Sequence, residues 1–384
     1  SKIKLTITQL ENSNKFFLTA TCPWKSNENK PDLLSNYRSH LLRQTKTNSE
    51  QYLKSKKITL QDISEKFIDH IEKTHIKEVK IDVKDTDQFF IPYFPVVKLE
   101  RSSTKVRIVF DAACKDKFGR SLNSQIADTP NRLNDLIGIL LNFRKYKYAL
   151  MADISEMFLR IRLHENDQRY HRFWFDNKIY QWQRILFGNK ASPNISQKAI
   201  QYISELEKKE NTLAYDCINN FMYMDDATIS LTNEKDCVKL ANELLFVLGK
   251  YDFNITKFYS NSKLLAKSIP KDLLAKQIDF KESDVIFEST KVLGMVWSAE
   301  NDCFSFKSKY RNVEEFYLSQ NIKTIENWTH RLILRFSATC YDPLGFISPF
   351  TVTARLILQM CSKLKLSWDS VIPEDLARRW IKWL

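Results

Sequence analysis

Three aspartates stand where hydrophobic strands would otherwise continue. Asp225 and Asp226 interrupt NNFMYMDDATISL (219–231), and Asp153 lies near the end of YALMADIS (148–155). Both stretches read as apolar strands, the first turning at its acidic pair. Asp tolerates the left-handed backbone of tight hairpins, so a structural turn accounts for Asp225-Asp226 taken alone. A third acid changes that reading. Carboxylates crowded between apolar flanks repel one another and are driven toward protonation unless a cation lies between them. If the two strands pair side by side, Asp153 and Asp225 project from neighbouring strand ends. Such a set would hold two Mg²⁺ ions ~4 Å apart, the arrangement for in-line nucleotidyl transfer. One ion would activate a 3′-hydroxyl and the other would steady the leaving pyrophosphate.

Other chemistries find little support. The seven cysteines include no CxxC pair, and the six histidines form no HExxH. An odd cysteine count without paired spacing argues against a zinc site or a disulfide frame and fits a reducing compartment. The 384 residues are 43% hydrophobic, enough for a large core and for two or three domains. No run of eighteen apolar residues would span a membrane, and SKIKLTITQL at the start lacks a signal-peptide core. The formal charge is +13, from 59 Lys plus Arg against 46 Asp plus Glu. Polyanions are the natural partners of such a chain. QRYHRFWF (168–175) and RRWIKWL (378–384) interleave basic and aromatic residues, a mixture suited to nucleic acid and equally common on half-buried strands.

The elements that must position the acids follow from periodicity. Residues 24–57 are polar and partly loop, and 58–78 read as a helix through Ile63, Phe67, Ile68 and Ile71. FFIPYFPVVKL (89–99) leads into a strand whose hairpin partner is STKVRIVFD (103–111). A helix is expected over 129–147, capped by Thr129 with Pro130 at its first position. FWFDNKIYQWQRI (173–185) is a hairpin turning at Asp176-Asn177. A Ser-capped, Pro-first helix covers 192–209, and an amphipathic helix covers 233–251. KVLGMVW (291–297) and CFSF (303–306) form another hairpin, and the chain turns helical from about 322.

The YMDD stretch and its companions resemble the reverse transcriptases. TKVRIVFDAA resembles the fingers hairpin that holds the incoming triphosphate. LMADISEMFLRIRL resembles the strand of the first catalytic aspartate. ILFGNKASPNISQKAI resembles the loop and helix beneath the templating pair, FNITKFYSNS the segment with a lysine near pyrophosphate, and KVLGMVW the primer grip. Six blocks in the family's order carry far more weight than YMDD alone. RIVFDAA, LFGNKASP, VLGMVW, YDPLGFISPFTVTARLILQ and CPWK (22–25) are similar to the Bel/Pao lineage of LTR retrotransposons.

The resemblance implies an α+β right-hand polymerase with an antiparallel-sheet palm and a mostly helical C-terminal thumb or connection. Its expected division is an N-terminal extension (1–85), fingers (86–145), palm (146–290, with a fingers segment at about 160–190), then primer grip and thumb (291–384). It implies catalysis by Asp153, Asp225 and Asp226, with the Ile154 carbonyl as a further metal ligand and Lys257 near the pyrophosphate. Lys98, Arg107, Phe158, Phe187 and Gly188 would meet the nucleotide, with Ser192 and Pro193 following in the same loop and helix. Phe158 would be the gate against the sugar 2′ position. Gly294, Met295 and Trp297 would form the primer grip. Phe187 departs from the glutamine usual in retroviral enzymes and cannot hydrogen-bond nucleotide or template. The implied cofactor is two Mg²⁺ ions, with Mn²⁺ able to substitute. The implied partners are an RNA/DNA or DNA/DNA template-primer, dNTPs, and the RNase H and integrase portions of one polyprotein, with no membrane. No RNase H pattern is recognisable before the last residue. The implied location is the cytoplasm, inside virus-like particles. Two alternatives stay open: an RNA-dependent RNA polymerase, and a domesticated nucleic-acid-binding protein that has lost catalysis.

Overall fold

The computed structural model describes residues 3–384 apart from 12, 27, 29, 98–105, 282–283, 307–314, 317–327 and 340. The chain forms two compact units. One comprises residues 1–134, 152–227 and 238–256; the other comprises 135–151, 228–237 and 257–384. Pairing between residues far apart along the chain builds these units. The Phe16–Ala20 strand pairs antiparallel with Leu5–Gln9 and parallel with Ile161–Leu163. The first residues are therefore built into the first unit.

An aromatic core organises that unit. Phe67 lies 4.9 Å from Phe173, 4.8 Å from Phe175 and 5.1 Å from Tyr93, ring centre to ring centre. Rings at these spacings add attraction to the area they bury. Phe67 comes from the Leu60–Glu72 helix, which starts at a capping box in which Thr59 and Asp62 bond each other's backbone N–H. The helix is shorter than 58–78 because Thr74 takes a left-handed backbone and Ile76–Glu78 joins Lys178–Trp182 as a strand. Phe173 and Phe175 come from the hairpin of Arg172–Phe175 with Lys178–Trp182. Its turn residues Asp176 and Asn177 have φ of 46° and 58°, the pair a two-residue hairpin turn needs. Tyr93–Val97 pairs antiparallel with Val106–Phe110, as expected.

Three further expectations need revision. Residues 37–47 and 50–55, expected partly as loop, are helical. The helix expected over 129–147 spans only Leu136–Phe143, and its cap is Asp135, which accepts from Gly138 N–H at 2.6 Å, not Thr129. Pro130 instead lies outside any helix or strand, and its carbonyl accepts from the Asn194 amide. The next helix runs Ser192–Glu207 with Ala191 as its cap. Ser192 is inside it and donates its hydroxyl to the Leu186 carbonyl at 2.8 Å.

The strands that carry the acids form a four-stranded sheet in the order Met222–Tyr223, Asp226–Leu231, Tyr148–Ser155, Asn254–Ser260. In the second unit, KVLGMVW is not one strand. It turns at Leu293-Gly294, so that Thr290–Val292 pairs antiparallel with Met295–Ser298, which pairs in turn with Cys303–Ser305. Trp297 is fully buried there, 4.8 Å from Phe143 and 5.7 Å from Tyr259. Helices His330–Ser337, Ser348–Lys363 and Glu374–Trp383 surround a core in which Trp328 and Trp380 meet edge to face at 5.1 Å. No described helix is long and apolar enough to cross a membrane.

Candidate active site

The hairpin of Met222–Tyr223 with Asp226–Leu231 pairs Tyr223 with Asp226, which leaves Met224 and Asp225 at the tip. Met224 has φ of 58°, an unusual conformation for an unbranched side chain, and the tip is bonded on three sides. Gln197, buried on the Ser192–Glu207 helix, donates to the Met224 carbonyl at 2.9 Å. Asn134 donates to the Met222 carbonyl at 2.9 Å. The Ile154 N–H donates to the Asp225 carbonyl at 2.8 Å. This last bond places Asp153, one residue before Ile154, beside the acidic tip. Thr256 donates to the Asp153 carbonyl at 3.5 Å, so the backbone around that acid is held from the other side as well.

All three acids are half-buried. Their side chains do not form a ready cage: among the described residues, no three His, Cys, Asp or Glu groups lie close enough to hold a metal ion. Mutual repulsion gives three carboxylates no reason to converge without a cation. The donors present are nonetheless all hard oxygens, three carboxylates and the Ile154 carbonyl, and that chemistry suits Mg²⁺ rather than Zn²⁺.

Beyond Asp153 the chain turns sharply at Glu156, with φ of 53°, into the short helical turn Met157–Arg160. Glu156 is fixed by Arg160 at 3.5 Å and Lys73 at 3.4 Å. The turn carries Phe158, only 7% exposed, against Phe187, whose ring centre is 4.6 Å away and which is 58% exposed. The two phenylalanines named in the sequence thus form one aromatic surface, with Phe187 as its outer member.

Gly188 follows Phe187 with φ of +96°, and a Cβ there would sit 2.3 Å from the Phe110 carbonyl oxygen. Only glycine fits. Asn123 donates to the Gly188 carbonyl at 2.8 Å and accepts from Lys190 N–H at 2.8 Å. Asn189 accepts from Ala191 N–H at 2.8 Å, and its amide lies 3.0 Å from His171 Nε2. His171 Nδ1 lies 2.9 Å from the Asp167 carbonyl. The Asp167 carboxylate accepts from Cys22 N–H at 2.8 Å and from the Trp24 indole at 2.7 Å. A buried chain of polar contacts therefore runs from CPWK to the loop of Phe187 and Gly188. Burial raises the Asp167 carboxyl above its usual range and holds the His171 imidazole down at about 4. With His171 neutral, the network assigns the proton to Nδ1, which donates to Asp167, and leaves Nε2 to accept from Asn189. Sequence reading missed Asn123, Asn189, Asp167 and His171. Single polar residues outside any periodic pattern gave no signal; the serine cap before Asn123 in RSLNSQ was the nearest clue.

The remaining candidates divide. Arg107 is exposed on the Val106–Phe110 strand, opposite Val96. Lys98 lies outside the described residues. Lys257 falls in the second unit, on the Asn254–Ser260 strand, with φ of 56°. Met295 and Trp297 are buried in that unit's core, beside the turn at Gly294.

Two family models match parts of the chain. Residues 104–259 match the family described as reverse transcriptase (RNA-dependent DNA polymerase). Residues 329–384 match the family described as Pao retrotransposon-like RNaseH-like domain. Together the two matches support a reverse transcriptase of the Bel/Pao type of LTR retrotransposon. The second match was not foreseen, since no RNase H pattern was recognised in that stretch; its described elements are helical. The retrovirus-related Pol polyprotein from transposon gypsy of Drosophila melanogaster is 22% identical over 233 residues, 57% of this chain and 22% of that polyprotein. Among solved structures, the foamy viral protease-reverse transcriptase dRH in complex with ds DNA superposes with a TM-score of 0.53 at 15% identity, covering 84% of this chain and 47% of that one. The same viral protein in complex with RNA/DNA hybrid gives 0.51 at 14% identity, covering 87% and 36%. These likenesses carry the polymerase fold. The chain spans about a fifth of its curated relative and under half of these solved chains. Reverse transcriptases in general use divalent metal ions.

Proposed function

We propose that this chain extends a primer 3′-hydroxyl with dNTPs on RNA or DNA templates. The observation that carries the reading is the bond from Ile154 N–H to the Asp225 carbonyl, which sets Asp153 beside the Asp225-Asp226 tip. Asp153 and Asp225, with Asp226 and the Ile154 carbonyl in support, would hold two Mg²⁺ ions. Bound metal would lower the barrier by stabilising charge on the attacking and leaving oxygens. Arg107 binds the triphosphate through its planar fork, joined by Lys98, and Lys257 meets the pyrophosphate. Phe158, backed by Phe187, lies against the sugar. The turn at Gly294 steadies the primer. RNase H and integrase portions of one polyprotein act on the same nucleic acid, inside virus-like particles. A basic chain of this kind binds template-primer mainly through phosphates, so log Kd should vary steeply with log salt.

The second reading, a binding protein without catalysis, draws on the absence of a three-acid cluster among the described residues. Primer extension with Mg²⁺ and dNTPs separates the two. Asp153→Asn and Asp225→Asn should each lower the rate ~1,000-fold, about 4 kcal/mol of transition-state stabilisation, and leave template-primer affinity nearly unchanged. Rates within about threefold of the parent would remove the acids from the chemistry.

A further inference from the structure

A cleft of about 620 Å³ opens in the first unit, lined among others by Phe17, Thr19, Thr74, Arg162, Gln183 and Arg184. It uses none of the residues assigned to catalysis. Its notable feature is a like-charged pair. Arg162 and Arg184 stand opposite each other in an isolated antiparallel bridge, flanked by Leu163 N–H to Gln183 carbonyl at 2.8 Å and Ile185 N–H to Ile161 carbonyl at 3.1 Å. Residues so placed have Cβ atoms about 5 Å apart, and like charges there are destabilising.

The pair is also poorly compensated. Arg184 is 8% exposed, and its Nε is buried with no hydrogen-bond partner. The Arg162 guanidinium lies 3.4 Å from the ring centre of Phe17, a contact that uses its face and not its N–H edge. Glu156 is committed to Arg160 and Lys73. Glu165 also lines the cleft but is exposed to solvent. Asp252 attracts both guanidinium groups, yet burial and the neighbouring Arg162 still bring Arg184 down to about 10. A buried cation with an idle donor costs stability unless an anion completes it.

We propose that this cleft binds a phosphate-bearing anion, held between the guanidinium groups of Arg162 and Arg184. Two arginine forks suit tetrahedral oxyanions better than single carboxylates. Thr19, Thr74 and Gln183 add neutral donors around the same space. The phosphate could come from a nucleic-acid backbone or from a free polyphosphate, and the chemistry of the site is common to both.

The test uses the full chain with tripolyphosphate as probe, at fixed ionic strength and in EDTA, so that metal-dependent binding at the acidic hairpin does not contribute. Calorimetric titration and melting should show saturable binding that raises the melting temperature. Arg162→Gln should weaken the affinity by on the order of tenfold or more. Lys208→Gln, which removes equal charge outside the cleft, should leave the affinity unchanged. Arg162→Lys keeps the charge without the fork and should fall between the parent and Arg162→Gln, which guards against a folding defect in either variant. Displacement of the probe by a short oligonucleotide would identify a backbone phosphate; retention would identify a free polyphosphate. No binding at millimolar probe, or equal losses in Arg162→Gln and Lys208→Gln, would overturn the site and make the arginine pair simple packing. Neither outcome depends on whether the aspartates catalyse.

Discussion

Gly188 and Gly294 share a backbone conformation, with φ of +96° and +97°, and differ in what stands beside them. A Cβ on Gly188 would lie 2.3 Å from the Phe110 carbonyl oxygen, which belongs to a paired strand. A Cβ on Gly294 would lie 2.8 Å from Cε1 of Tyr341, a ring that is 46% exposed. One neighbour is main chain held in a hairpin; the other is a side chain with solvent to turn into. The same residue type, in the same backbone region, is thus demanded by close packing in one place and mainly by torsion in the other.

The largest expected effect follows directly. Gly188→Ala combines torsional strain with an overlap that only backbone movement relieves, and should cost about 4 kcal/mol. Urea unfolding measures it, and extension by the surviving folded fraction should also fall, because the loop carrying Phe187 must shift. Gly294→Ala meets the same torsional strain but a movable ring, and should cost about 2 kcal/mol. In a Tyr341→Ala background the Gly294→Ala cost should shrink to the torsional part. A double-mutant cycle with no coupling between 294 and 341 would mean that the ring is not the obstacle. No side-chain removal should rescue Gly188→Ala.

The support behind the first loop is sensitive to acid. Burial lowers the His171 pKa to about 4, below the unfolded value of about 6.5. Between these values the unfolded chain binds a proton that the folded chain refuses. Stability from this residue is therefore complete above pH 6.5 and is lost as pH falls toward 4, at about 1.4 kcal/mol per pH unit. His171→Gln should flatten the decline between pH 6.5 and 5, where most carboxylates remain ionised. His40 and His75, both lowered to about 3 by burial, leave a remainder with the same sign. A variant that loses stability over this window as steeply as the parent would release His171 from that role.

Legibility in the sequence tracked the range of the interaction. The apolar stripe of the Leu60–Glu72 helix, the Asp176-Asn177 turn and the acidic hairpin are local patterns, and each is readable from a few residues. Caps competed within ten residues of one another, so Thr129 with Pro130 masked Asp135. In KVLGMVW the apolar run conceals a turn, because a lone glycine between Leu293 and Met295, with Val292, Val296 and Trp297 beyond them, reads as strand. The place of Gly188 beside the site is legible in the sequence, but the reason for it, the Phe110 carbonyl, lies 78 positions back along the chain. The acids were legible as residue types. Their adjacency rests on the Ile154–Asp225 bond, and no pattern within either strand states that partnership.

The smallest effect tests what the Gly188 loop is for. Phe158 is buried beneath Phe187, ring centres 4.6 Å apart, so a plain core role and a role at the sugar both fit its burial. They separate in kinetics. A large ring with no acceptor would clash with a ribose 2′-hydroxyl and strip its water without replacement, while a deoxyribose would pack on it. Phe158→Val should then raise rNTP relative to dNTP incorporation by at least tenfold, a change of ~1.4 kcal/mol in differential transition-state binding. Truncating a buried ring lowers the melting temperature in either case, so the ratio of kcat/KM values carries the decision. Phe187→Ala removes an exposed ring, which should cost little stability, and reports whether the outer member shares the discrimination. An rNTP/dNTP ratio unchanged in both variants would make the aromatic pair packing alone, and Gly188 would then serve the loop's attachment to Phe110 and not the choice of sugar.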